Sequence, residues 1–358
     1  MRNKKNNIPK NMFDCKLTAV DLFSGCGGLT VGLKRAGFKV LGAVDVDVLS
    51  IKTYRANHKD VRIWETDVRN LKPAEIKFSL GLEKGTLDLL AGCPPCQGFS
   101  TIRTLNGASV VDDPRNDLLF EFLRFVEALC PRAVMMENVP GLAEDDRFAA
   151  FCTRMKKIGY LGEHRILNAA EYGVPQRRRR LIYLAGYQME IPFAKRACKV
   201  KTVENAIGNL PKAGASGDPV HDLPERRTQR IMEMIRRIPK DGGSRSDLPE
   251  EDQLECHKRC NGFKDVYGRM AWGDVSPTIT SGCFNPSKGR FLHPEEDRAI
   301  TMREAALLQG FPRCYKFPTT HNKSAIALMI GNALPPSFIK AHAKQIAQKL
   351  LGRNKTKK

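Results

Sequence analysis

The 358 residues predict an α/β fold: a doubly wound, mostly parallel sheet with covering helices, to which a smaller loop-rich domain is attached. Three observations predict it. Short β-rich runs alternate with longer helical ones from Leu17 to Ala185, and a glycine-rich turn follows directly on the first run. After Gly186 the alternation gives way to prolines, glycine pairs and dense mixed charge.

Leu17 to Leu22 reads as the first strand, Gly28 to Ala36 as a helix, and Val40 to Val44 as the second strand. A helix around Leu49 to Asn57, a strand at Leu87 to Ala91 and a helix from Asp117 to Ala128 follow. Ala133 to Met136 and Arg180 to Ala185 read as strands, with a helix from Phe148 to Ile158 between them. Beyond Gly186 one helix stands out near Arg226 to Ile238, and regular structure returns at Arg298 to Leu308 and in a basic amphipathic helix from Ser337 to Leu351. The expected units are 1–186, 187–270, 271–325 and 326–358, the last returning to the first.

A formal net charge of +20 points to a polyanionic partner, nucleic acid first, because phosphate neutralisation releases condensed counterions. A merely solvated basic surface is the bland alternative. No apolar run reaches the roughly 18 residues that span a bilayer, and Met1 to Lys16 has no apolar signal core, so a cytosolic protein is expected. Most of the eleven cysteines are read as reduced core residues. Cys93-Pro-Pro-Cys96 has the spacing of a redox pair, and Cys256, His257 and Cys260 that of half a zinc site, but neither has partners nearby and no metal is expected.

The chemistry concentrates at the ends of the strands. Asp21-Leu-Phe23-Ser24-Gly25-Cys-Gly27-Gly28 is a glycine turn opening a helix, where a ligand meets bare backbone. Its G-x-G-G spacing is not the dinucleotide fingerprint. Asp45, about 20 residues on, suits a ribose diol, and Asp67 offers an acceptor where a third strand would end. Glycine turn, diol acceptor and base-edge acceptor together suit an adenosine. Taken singly, each Asp is as well read as a helix cap.

Cys93-Pro-Pro-Cys96-Gln-Gly-Phe-Ser100, Glu137-Asn-Val139, Gln176-Arg-Arg178-Arg-Arg180, Ser276-Pro-Thr-Ile-Thr280, Leu308-Gln-Gly-Phe-Pro312 and Gly331-Asn332-Ala333 occur in that order. In these motifs the sequence resembles the DNA cytosine-5 methyltransferase family over nearly the whole chain. The resemblance implies S-adenosylmethionine as cofactor, held by Phe23, Ser24, Gly25, Gly27, Gly28, Asp45, Val46, Asp67, Pro95, Asn332 and Ala333, in a class I methyltransferase fold. It makes Cys96 the nucleophile that adds to cytosine C6, since C5 alone is too weak to attack a methyl group. Glu137 holds N3, Arg180 reaches O2, and Arg178 supports the catalytic loop or a phosphate.

Double-stranded DNA is the implied substrate, with the cytosine flipped from the helix and residues 97 to 116 closing over it. Ser100, Arg103 and Arg115 are the DNA contacts expected in that loop. By the same resemblance 1–186 is the catalytic and cofactor-binding unit and 187–270 the target-recognition region, where Arg226, Arg227, Arg230, Arg236, Arg237 and Arg245 are available to bases or phosphates. Asp45 stands where the family has Glu, Val46 where a larger side chain covers adenine, and Ala333 where Ser is frequent. A monomer is expected, near the nucleoid, with a restriction or phage-defence system as a candidate companion. An RNA cytosine-5 methyltransferase and a catalytically silent DNA-binding protein on the same fold are the competing readings.

Overall fold

The computed structural model describes residues 16–95, 118–254 and 265–355. Seven strands form one sheet: β1 (Thr18–Leu22), β2 (Lys39–Asp45), β3 (Arg62–Glu65), β4 (Leu89–Gly92), β5 (Ala133–Asn138), β6 (Tyr160–Asn168) and β7 (Arg179–Tyr187). Their spatial order is β3-β2-β1-β4-β5-β7-β6. The pairs from β3 through β5 are parallel, while β7 runs antiparallel to both β5 and β6. The chain therefore winds outward from β1 in one direction and resumes at β4 in the other. In such sheets the crevice at the carboxyl ends of these two strands is where ligands bind.

Alternation along β1 explains the two layers. Leu17 and Ala19 face α1 (Gly28–Arg35), α2 (Val48–Asn57) and the C-terminal helix, whereas Val20 and Leu22 face α3 (Pro73–Leu80), α4 (Leu118–Leu129) and α5 (Asp146–Lys157). In α4 the apolar residues fall three and four apart, so Leu118, Phe122, Phe125, Val126 and Leu129 all reach the sheet. Gly32 of α1 has no room for a side chain, because a Cβ there would lie 2.5 Å from Ile339. That close approach lets the C-terminal helix lie directly on α1.

Past β7 lie α6 (Val203–Ile207), α7 (Gln229–Arg237), α8 (Met302–Leu308), α9 (Lys323–Asn332) and α10 (Pro336–Lys355). Residues from α6 to α9 build a third core, shared with Cys26 and Val31 of the first turn and α1, and a small fourth one. Met234, Ile235 and Ile238 pack with Leu248, Tyr267 and Leu292, so one core draws on both sides of residue 270. At its centre Arg269, fully buried, donates to the carbonyls of Ile235 (2.8 Å), Ile238 (3.2 Å), His293 (3.0 Å) and Glu296 (2.6 Å) and pairs with Asp297 at 2.5 Å. It thus caps the end of α7, whose last carbonyls have no partner within the helix. Among the described residues, no helix is long and apolar enough to cross a membrane.

Candidate active site

A cavity of about 840 Å³ opens at the carboxyl ends of β1 and β4. Its wall brings together Phe23, Ser24, Gly25, Gly28, Asp45, Val46, Asp67, Pro95, Asn332 and Ala333 with Glu137, Arg178 and Arg180. Residues separated by up to 310 positions meet there because they lie at or beside the ends of strands and helices that converge on this edge of the sheet. Leu29, Ser50, Thr66, Val68, Leu328 and Met329 also line it, without having stood out in the sequence.

The turn after β1 is held open by its backbone. Phe23 adopts φ 61°, and Gly25 and Gly27 follow at 52° and 99°. Asp45 Oδ2 accepts the Gly25 N–H at 2.6 Å and its Oδ1 accepts from Asp47 at 2.9 Å, so the end of β2 fixes the turn. Burial pushes the Asp45 carboxyl above its ordinary range, against the pull of those N–H donors. Gly27 departs from the expectation for the cofactor wall: it does not line the cavity. A Cβ at Gly27 would sit 2.6 Å from His58 and 2.7 Å from the Tyr315 hydroxyl, so the residue serves packing behind the turn. Val46 is 64% exposed on the cavity wall and presents an apolar surface there. Asp67 caps a short 3-10 turn through Arg69 N and pairs with the Arg69 guanidinium at 2.6 Å, which holds its carboxyl below the usual range.

Beneath the turn, Asp21 is fully buried. Its Oδ2 accepts the Thr30 hydroxyl at 2.6 Å, and burial raises its carboxyl to about 7.

Glu137, the last residue but one of β5, lies beside the Cys93-Pro94-Pro95 segment that follows β4. Arg180 Nε lies 3.0 Å from Glu137 Oε1, an ion pair whose angle falls short of a hydrogen bond. Burial drives the Glu137 carboxyl above its ordinary range, and Arg180 and Arg178 offset this only in part. The Cys93 thiol lies close enough to interact with Glu137 and is pushed well up, by burial first and then by that carboxylate. No signal in the sequence pairs Cys93 with this neighbour. Asn138, next along β5, donates from Nδ2 to Pro94 O at 3.0 Å, which anchors the backbone two residues before Cys96.

Arg178 is committed to the protein itself, for Nη1 donates to Ile279 O at 3.1 Å and Nη2 to Gly331 O at 2.8 Å. Those bonds leave its Nε buried without a partner, and burial lowers the guanidinium to about 9. Arg178, expected to support the catalytic loop or a phosphate, thus acts in the structure as a clamp between two backbone segments. Cys96, Ser100, Arg103 and Arg115 lie outside the described residues, as do Cys256, His257 and Cys260.

The six arginines after Gly186 separate into two groups. Arg227 pairs with Glu225 and donates to Phe284 O at 2.9 Å, Arg237 pairs with Asp252, and Arg245 is buried. Arg227 is thus engaged by the fold and Arg245 lies inside it, while Arg237 keeps its side chain 59% exposed beside Asp252. Arg226, Arg230 and Arg236 are exposed. Met234 and Ile235 turn one side of α7 to the core and leave Arg230 and Arg236 outside.

A glycine turn after β1, a carboxylate ending β2 and a mixed seven-stranded sheet whose last pair includes an antiparallel strand define a class I S-adenosylmethionine-dependent methyltransferase. Residues 17–348 match the model of the C-5 cytosine-specific DNA methylases. The chain is 36% identical to the type II methylase M.HgiDII of Herpetosiphon aurantiacus over 349 residues, covering 93% of this chain and 96% of that protein. It is 33% identical to the type II methyltransferase M1.HphI of Haemophilus parahaemolyticus, covering 95% and 89%. In fold it is similar to the crystal structure of the S. pombe Dnmt2 methyltransferase, with a TM-score of 0.61 at 19% identity over 93% of this chain and 99% of that one. The chain belongs to the C-5 cytosine-specific DNA methylase family, and its reaction is methylation of cytosine in DNA.

Proposed function

We propose that the protein flips a cytosine out of a sequence-specific duplex site into the cavity beneath Glu137, adds Cys96 to C6, and methylates C5. The observation that carries this reading is the buried Glu137 carboxyl, 3.0 Å from Arg180 at the end of the strand beside the one that leads to Cys96. Burial raises the Glu137 carboxyl and so favours its protonated form, and a proton donor is what N3 of the base needs as charge develops on the ring.

Arg180 Nε holds the acid in place, and its guanidinium is the donor for O2. Asn138 orients the backbone ahead of Cys96 through Pro94 O. The wall fits an adenosine: Asp45 has lone pairs left for a ribose, Val46 offers an apolar face, and Asn332 is exposed on the wall. Bound there, S-adenosylmethionine supplies the methyl group.

Arg226, Arg230, Arg236 and Arg237, exposed among the described residues, are the DNA contacts of the recognition region, together with Ser100, Arg103 and Arg115 beyond Cys96. The type II names of the relatives support a restriction-modification setting; a monomeric enzyme acting at the nucleoid in the cytoplasm completes the proposal. Transfer of a radiolabelled methyl group to duplex DNA, with bisulfite sequencing of the product, tests the proposal. Modified cytosines confined to one sequence context are expected; label entering only transfer RNA would overturn it.

A further inference from the structure

The last turn of α9 presents Asn332 to the cavity, and its end is capped by side chains from distant parts of the chain. A helix leaves its final carbonyls without intrahelical partners. Here Arg178 Nη2 donates to Gly331 O at 2.8 Å, Cys26 Sγ lies 3.6 Å from Met329 O, and Gln309 Nε2 donates to Ala333 O just past the helix. Gln309 is fully buried and is oriented by a second fully buried amide, for Gln176 Nε2 donates to Gln309 Oε1 at 2.5 Å. With Oε1 occupied as an acceptor, the Gln309 amide can turn only its NH2 towards Ala333. Gln176 Oε1 in turn accepts the Ile279 N–H at 3.1 Å, while Arg178 takes the Ile279 carbonyl at 3.1 Å.

Steric limits close the remaining freedom. A Cβ at Gly331 would lie 2.5 Å from the Thr280 carbonyl carbon and the Ser281 nitrogen, and one at Gly28 would lie 2.5 Å from Leu334 O. Asn332 thus sits between two carbonyls that are each held by a side chain. Gln176, Arg178 and Arg180 are spaced two apart along one stretch of chain. The first two hold the Asn332 bend, directly or through Gln309, and the third holds Glu137.

We propose that the Gln176–Gln309 amide pair is a positioning device for the S-adenosylmethionine site, fixing through Ala333 O the bend that aims Asn332 at the cofactor. It rests on the assignment of the cavity to that cofactor. Neither glutamine touches the cavity; both act through Ala333.

The test is a double-mutant cycle read by calorimetric binding of S-adenosylhomocysteine to the full chain, with thermal unfolding followed in parallel. Gln309→Met keeps the length of the side chain but cannot donate. Its affinity should fall about tenfold, the equivalent of one lost hydrogen bond of roughly 1.4 kcal/mol, well below its Tm and with duplex DNA affinity within about twofold. Combined with Asn332→Ala it should cost little beyond Asn332→Ala alone, because both remove the same contact. Should Gln309→Met not fold, Gln176→Leu, which leaves the donor unoriented, is expected to lose about threefold or more in the same cycle.

Undiminished affinity in folded Gln309→Met, or losses that add with those of Asn332→Ala, would overturn the proposal as a case of plain packing. Asp45→Ala separates the two levels. Loss there without loss at Asn332 or Gln309 overturns the positioning role and keeps the cavity, whereas no loss in any variant overturns both.

Discussion

Replacing Glu137 with glutamine removes a negative charge whose side chain is only 10% exposed, while keeping the shape that faces the base. Burial raises the folded carboxyl above the ordinary value of 4.5. Between 4.5 and that raised value the native state binds more protons than the unfolded chain, so stability falls as pH rises. The contribution is fully present below 4.5 and is lost through the folded value. Each unit of upward shift is worth about 1.4 kcal/mol, and glutamine stands for the protonated form.

At pH 8 the variant should therefore be at least as stable as the parent, and the difference should shrink as the pH falls to 4.5. Arg180 keeps its bond to Arg179 O at 2.7 Å and can use the glutamine oxygen as acceptor, so it is not stranded. Turnover should fall by about 10²- to 10⁴-fold, the usual worth of a placed proton donor. Denaturant midpoints at both pH values and single-turnover methylation give the two readings. A variant that loses more than about 1 kcal/mol at pH 8 would refute the burial argument, and turnover within a few fold of the parent would remove Glu137 from the chemistry.

Arg230→Ala and Arg236→Ala should each reduce the salt dependence of DNA binding by about one in slope with Tm unchanged, whereas Arg227→Ala and Arg245→Ala should lower Tm. Equal effects across the four in a salt titration would contradict the division. Arg269→Met should cost about 3 to 5 kcal/mol in chemical denaturation, because the carbonyls it serves are left without their donor; a loss under about 1 kcal/mol would show that water replaces it. Gly331→Ala should lose about 1 to 3 kcal/mol by overpacking and weaken S-adenosylmethionine binding, and a variant with parental Tm and affinity would show that the Thr280 backbone yields.

The strands facing the core on both sides were legible because their apolar runs are continuous, as in β1, β4 and β5. β6 was not, since Glu163, His164 and Arg165 are exposed on an edge strand and break the pattern of alternation. α9 carries small and apolar residues on all sides, so its period gives no signal, and α3 is short. Glu137, Arg178, Arg180, Asn332 and Ala333 of the cavity were legible as motifs, whereas Leu29, Ser50, Thr66, Val68, Leu328 and Met329 were not. Which of their atoms are already engaged was not, because hydrogen bonds to backbone carbonyls leave no trace in sequence. Arg178, Arg180 and Arg227 look alike in the chain, yet they serve a clamp, an acid and a fold contact. Gln309 and Gln176 read as ordinary polar residues of their motifs until burial showed that each amide must be paired.

The identity of the nucleophile is tested most directly by duplex DNA with 5-fluorocytosine at the target. Fluorine replaces the C5 proton that must leave, so thiolate addition and methyl transfer proceed but the adduct cannot collapse. A complex resistant to denaturation should form only with S-adenosylmethionine present, with the adduct mapped to Cys96. Cys93→Ala should still trap, since that thiol serves as a neighbour of Glu137. Cys96→Ala should not; a trap that survives this substitution would contradict the account.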